Sequence, residues 1–176
     1  MFVDPTGASF VFWFLPMMEP LIRFTDILWS LIKKAVEEAI VLPIAQTIYG
    51  EAGGRYKYDD WQDGMLAVAT IISNRKKNND YPDDFISVCT APNQFYGYAR
   101  GKDAYENKKC DEIMWNYAMS IAWDMVENGG VMHPALNSEY IYLHSAEHGD
   151  QETINKIKAK PETLIFGGNM FYINYG

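Results

Sequence analysis

Glu51 ends the apolar run IAQTIYGEA, just ahead of Gly53 and Gly54, and a second apolar run begins at Trp61. A carboxyl group held among Ile48, Tyr49 and Ala52 is poorly solvated when charged, so its pKa is expected above the ordinary carboxylate value. Such a group keeps a proton near neutral pH and can give it to a leaving oxygen, as cleavage of a glycosidic bond requires. The plain alternative is a glutamate on a solvated helix end with no chemistry at all. Asp60 is the candidate second carboxylate, and it serves equally well as the N-cap of the helix that follows. Gln94 and Phe95 would supply an amide for an N-acetyl or hydroxyl group and a ring for a sugar face; a loop glutamine over a packed phenylalanine is the competing reading. Tyr96 and Tyr98 suit a cleft rim or a bare surface. Tyr142 and His144 lie two apart on an alternating stretch, so they line a cleft together or pack into the core together. Asn74, at a helix end, is a capping or core-polar residue unless it lines a site.

A different chemistry is carried by His144-Ser145-Ala146-Glu147-His148, which fits the inverted zinc-peptidase pattern H-x-x-E-H. That chemistry needs both imidazoles on one helix face and a third ligand farther along. Here His144 ends a strand-like run, Gly149 and Asp150 would break a helix, and His133 stands upstream beside Pro134. The expectation is therefore no metal and no cofactor, with a zinc peptidase through His144 and His148 as an alternative. Cys89 and Cys110 can pair or stay free, and neither has an activating motif beside it. A non-catalytic glycan-binding module is the remaining class, and in it Glu51 would be dispensable.

The elements that must position these residues are mostly helical. The opening FVDPTGASF is turn-like, and FVFWFLPMM is strongly apolar. A helix over about 19–40 follows, with Leu21, Phe24, Leu28, Ile32, Val36 and Ala39 on one face, Pro20 early and Pro43 at its end. It is a core element or packing arm, with contact to a membrane surface or partner as the alternative. A short helix 44–51, a polar loop and a helix from Asp60 to about Lys77 come next. Met65, Val68, Ile72 and Arg75 lie along one side of that helix, and Arg75–Lys77 stand where the helix dipole favours cations. A helical piece over 83–89 leads to APNQFYGYARG, whose glycines, proline and aromatics suit a binding loop. A long helix over 103–128 ends at Gly129-Gly130. The segment 140–144 alternates as a strand, 150–158 is a polar helix, and LIFGGNMFYINYG reads as two strands joined at Gly167-Gly168. The fold class is α+β, mainly helical with a small β element: a segment 1–42, then one catalytic domain over 43–176.

A chain of 176 residues that is 48% hydrophobic and 15% aromatic can bury a substantial core. Its formal charge of −8 and the lack of a basic stripe exclude a nucleic-acid partner, whose phosphates would be repelled. Carbohydrate sites rest on aromatic faces and hydrogen bonds, which that charge does not oppose. No secretory signal is evident, since a basic n-region is missing and Asp4 stands in its place. The apolar stretch 8–18 is too short to span a bilayer and contains Pro16.

Taken in order, TIYGEA, AVATIISNR, Tyr81-Pro82, NQFYGY, the YIYLH strand and GGNMFY resemble the cell-wall hydrolase family of spore-cortex-lytic enzymes, the SleB and CwlJ type. The resemblance spans 44–172, about three quarters of the chain. It implies a lysozyme-like, lytic-transglycosylase fold acting on peptidoglycan, between N-acetylmuramic acid and N-acetylglucosamine. Glu51 matches the catalytic glutamate of that family. Asn74, Gln94, Phe95, Tyr142 and His144 match other motif positions and become candidates for lining the glycan cleft, with Tyr96 at its rim. The loop GGRYKYDDWQDG is longer than the family's usual form. The spacing from Glu51 to Asp60 also resembles the paired carboxylates of phage-type lysozymes, so a muramidase using both is the alternative to a transglycosylase. Finally, VDPTG is similar to the junction where an Rhs/YD-repeat shell meets a C-terminal toxin domain. That resemblance implies an antibacterial toxin cargo acting at the bacterial cell wall, in the periplasm or outside, with an immunity protein as partner. Delivery within a larger protein or by a secretion system would then replace a signal peptide.

Overall fold

The computed structural model describes residues 8–52 and 58–173, with side chains from residue 18 onward. The VDPTG stretch, most of the polar loop after Glu51 and the last residues of the tail lie outside this range. The chain divides into two compact units after Glu38.

The described part of the first unit is dominated by one helix, α1 (Ala8–Val36). It begins well before the expected start near Glu19. No glycine, asparagine or aspartate interrupts 8–18, and the prolines at 16 and 20 lie four apart, so the lost ladder bonds fall on one face. The expected stripe of Leu21, Phe24, Leu28 and Ile32 is present and exposed. Among the described residues no helix is long and apolar enough to cross a membrane.

A π-helical turn, Glu37–Val41, runs into α2 (Leu42–Ala52). Pro43 therefore does not stop a helix; it lies where the π turn passes into α2, and its missing N–H is one ladder bond lost at that change of register. The π turn is the point at which the hydrogen-bond register changes. The second unit continues with α3 (Trp61–Lys77), α4 (Phe85–Thr90), α5 (Gly97–Glu106) and α6 (Glu112–Asn128). Then come β1 (Tyr142–Ser145), α7 (Gln151–Lys158), β2 (Leu164–Phe166) and β3 (Asn169–Tyr172). The strands form one antiparallel sheet in the order β1-β3-β2, with His144 opposite Met170 and Leu164 opposite Phe171. Gly167 and Gly168, at φ of 52° and 72°, make the tight turn between β2 and β3 that only such residues adopt without strain. The fold is α+β and mainly helical, as expected.

The core is built from Ile44 and Ile48 of α2, Met65, Val68 and Ile72 of α3, Met114 and Met125 of α6, and Met170 and Phe171 of β3, all fully buried. Two further expected elements differ from those observed. The stretch read as a binding loop becomes helical at Gly97, and the long helix over 103–128 is two helices. Lys108, at a left-handed φ of 54°, breaks the chain after Asn107. Asp111 then caps α6 by accepting from the Met114 N–H at 3.1 Å. Cys89 and Cys110 are both free thiols. Burial pushes the Cys89 thiol up to about 12, so it is inert at neutral pH.

α2 and α5 meet backbone to backbone. A methyl group on Gly50 would lie 1.8 Å from the Gly97 carbonyl oxygen, and one on Gly101 would lie 1.8 Å from that of Gln46. Both neighbours are main chain, which cannot rotate away. Gly101→Ala should therefore destabilise the fold by about 1–3 kcal/mol or more, lowering the melting temperature by several degrees. Calorimetry on the purified variant checks this, and an unchanged melting temperature would contradict the packing described.

Candidate active site

Glu51 lies in the last turn of α2 and is 8% exposed. Its Oε1 accepts a hydrogen bond from the Gly97 N–H at 2.6 Å. That N–H opens α5, and Tyr96, at the N-cap position, offers no side-chain cap bond. The carboxyl group of one helix thus supplies the acceptor missing from the start of another, where the helix dipole favours negative charge. A methyl group on Gly97 would lie 2.6 Å from the Glu51 Cγ, so no other residue fits there without moving the carboxyl group. From the sheet, Asn169 donates to the Glu51 backbone carbonyl at 3.1 Å. Arg100, one turn into α5, holds its Nη2 at 3.8 Å from Oε2.

The Glu51 side chain opens into a cleft of about 310 Å³. Arg75, Gln94, Tyr96 and Arg100 line its helical side, and Leu143, His144 and Ser145 line its sheet side. Asn93 and His148 complete the rim. The cleft thus brings together four of the glycan-site candidates, Glu51, Gln94, Tyr96 and His144, along with His148 of the zinc-peptidase alternative.

Three other candidates support the cleft instead of lining it. Phe95 is buried under the Arg75 guanidinium, which lies 4.5 Å from its ring centre. Asn74 is buried and donates to the Asn137 and Tyr140 carbonyls, both at 2.8 Å, fixing the turn that leads to β1. Its Oδ1 has no hydrogen-bond partner among the described residues. Tyr142 shares a strand face with His144 but stacks on Tyr172 at 5.5 Å and hydrogen-bonds to Tyr81. Asp60 occupies the N-cap position of α3 through its backbone, accepting from the Gly64 N–H, and is not among the cleft residues.

The H-x-x-E-H pattern does not form the helix that its zinc chemistry needs. His144 is on β1, and His148 is in the following turn, its N–H donating to Ser145 Oγ at 3.0 Å. Glu147 is engaged by the Tyr58 hydroxyl. His133 lies against Asp63 and Phe166. Among the described residues no group of three or more metal-ligating side chains converges on a point.

Arg75 and Arg100 line the site but were not named as site candidates from the sequence, although Arg75 closes the motif AVATIISNR. Arg75 is buried, and its Nε donates to the Ile141 carbonyl while Nη1 donates to that of Gln94, each at 2.9 Å. Its ring contacts are Phe95 and Tyr81. Burial lowers its pKa from the usual arginine value, opposed by Tyr81 and Glu51, and the group stays cationic at neutral pH. The signal was an arginine in line with Met65, Val68 and Ile72, which asks for a buried guanidinium and acceptors to meet it. Arg100 left no such signal, since its position depends on where α5 begins. Arg75→Lys keeps the charge but cannot reach both carbonyls in one plane. Leaving buried acceptors unmet should cost about 1–3 kcal/mol each. Denaturant titration should show that loss together with reduced activity; wild-type stability would contradict the role given to Arg75.

The Cell Wall Hydrolase family matches residues 59–172, well over half of the chain. The matched span begins after Glu51, so the case for that residue rests on the geometry above. No curated protein matches in sequence. The crystal structure of the catalytic domain of the Bacillus cereus SleB protein aligns at 19% identity, covering 74% of this chain and 87% of that one, with a TM-score of 0.47. The family match and the ordered motifs agree, and the chain belongs to the Cell Wall Hydrolase family.

Proposed function

We propose that this protein cleaves peptidoglycan glycan strands between N-acetylmuramic acid and N-acetylglucosamine as a lytic transglycosylase, with Glu51 as the sole acid and base. The observation that carries this reading is the solitary carboxyl group. Among the described residues lining the cleft, Glu51 is the one acidic side chain. The sequence of 53–57 adds no aspartate or glutamate. A hydrolase of the two-carboxylate type needs a partner across the scissile bond.

Protonated Glu51 gives its proton to the glycosidic oxygen as the bond from that oxygen to the muramic C1 breaks. The resulting carboxylate stabilises the positive charge on the sugar ring, then takes the proton from the muramic 6-hydroxyl. That oxygen bonds to C1, giving a 1,6-anhydro end. The proton is returned to Glu51 and no water is consumed. The Gly97 N–H holds the carboxyl group in one orientation throughout, and orientation of this kind is a large part of catalysis. Gln94, whose Oε1 accepts from Arg75 Nη1 at 3.3 Å, supplies its amide N–H donors for an N-acetyl oxygen, Tyr96 a ring for a sugar face, and His144 a polar contact from the opposite wall.

Digestion of purified peptidoglycan, with mass spectrometry of the released fragments, tests this reading. The wild type should release fragments ending in 1,6-anhydro-muramic acid. Glu51→Gln should reduce their release at least about a hundredfold, with unchanged circular dichroism. Asp60→Asn should still release anhydro ends. Intact strands with the wild type, or full activity in Glu51→Gln, would overturn the assignment. Reducing muramic ends that disappear in Asp60→Asn would make the protein a muramidase.

A further inference from the structure

We propose that Arg100 is a specificity-determining residue, which binds a carboxylate carried by the muramic acid next to the scissile bond. This inference rests on the reading of the cleft as a peptidoglycan site. The protein as a whole is acidic, with 23 acidic against 15 basic residues. Its cleft reverses that balance, since two arginines, Arg75 and Arg100, line it together with a single carboxyl group, Glu51, among the described residues. Arg75 is already committed to two backbone carbonyls. Arg100 is not. Its side chain is 63% exposed, and its contact with Glu51, at 3.8 Å, is a loose ion pair beyond hydrogen-bond length.

A guanidinium presents several donors in a fixed fork suited to a carboxylate. Neutral sugar hydroxyls and N-acetyl carbonyls accept single hydrogen bonds from it but offer no paired anionic oxygens. A muramic residue does, because its 3-substituent ends in a carboxylate. In a strand stripped of peptide this is the lactyl carboxylate itself; in an intact strand it belongs to the stem peptide. The shared chemistry is one anion placed beside the sugar that Glu51 cleaves. Position supports the pairing. Arg100 is three residues after Gly97, so both lie on the α5 face that meets Glu51.

The test uses peptide-bearing strands, strands denuded of peptide by an amidase, and samples of each whose carboxyl groups have been converted to methylamides. Wild type should show kcat/KM about tenfold or more higher on the carboxylate form, the scale of one charge-assisted hydrogen bond. Arg100→Gln should reduce that ratio to within about twofold of unity, and Arg100→Lys should fall between. A preference confined to denuded strands identifies the lactyl carboxylate, and one confined to intact strands identifies the peptide. Calorimetric binding of the same soluble fragments to Glu51→Gln and to Glu51→Gln/Arg100→Gln reads recognition without cleavage. If nothing is cleaved, the transglycosylase reading fails, and the binding difference still decides the role of Arg100. A wild type blind to amidation, or a preference that survives Arg100→Gln in both assays, overturns the proposal. An equal loss of kcat on all substrates also overturns it and makes Arg100 a positioning residue for Glu51.

Discussion

The contact between α2 and α5 is the constraint from which the site follows. Three glycines remove the side-chain layer that normally separates packed helices, so the main chains touch at Gly50, Gly97 and Gly101. Only at that separation can the first N–H of α5 reach the carboxyl group in the last turn of α2. A buried carboxyl group without a donor would be costly to fold around. The helix start provides that donor, and it fixes the side chain at the same time. The packing of two helices and the placing of the Glu51 carboxyl group are thus a single interaction.

Arg75 is the second support. Its guanidinium ties α3 to the Gln94 carbonyl ahead of α5 and to the Ile141 carbonyl ahead of β1. It therefore sets the spacing of the two cleft walls. Asn74, the preceding residue, anchors the turn at Asn137 and Tyr140. One helix end thus holds the approach to the strand that carries His144. Asn169 completes the arrangement from β3, binding the Glu51 carbonyl.

Much of this was legible in the sequence, because apolar periodicity reports which faces are buried. The helices α2, α3 and α7, the β2–β3 turn and the α+β class were all readable from pattern and turn residues. Glu51 stood out for a physical reason, a carboxyl group in an apolar run. The start of α5 was not legible, because a segment rich in glycine and aromatics reads as loop until a partner helix is seen against it. Arg100 was lost with it. The direction of Tyr142 was hidden too, since a two-residue period gives a shared face but not which residue on it meets Tyr172. Asn74 and Phe95 were marked as candidates for lining the cleft; in the fold their side chains meet backbone carbonyls and Arg75 instead. α1 begins earlier than expected because proline is a weaker stop in an otherwise apolar, glycine-free run.

The central claim is that one carboxyl group cleaves the glycan without consuming water. Digestion of peptidoglycan in ¹⁸O-labelled water, followed by mass spectrometry of the new muramic ends, tests it most directly. Intramolecular attack by the 6-hydroxyl predicts ends that carry no label. One ¹⁸O atom at each new end would contradict the account and require a water-activating group opposite Glu51.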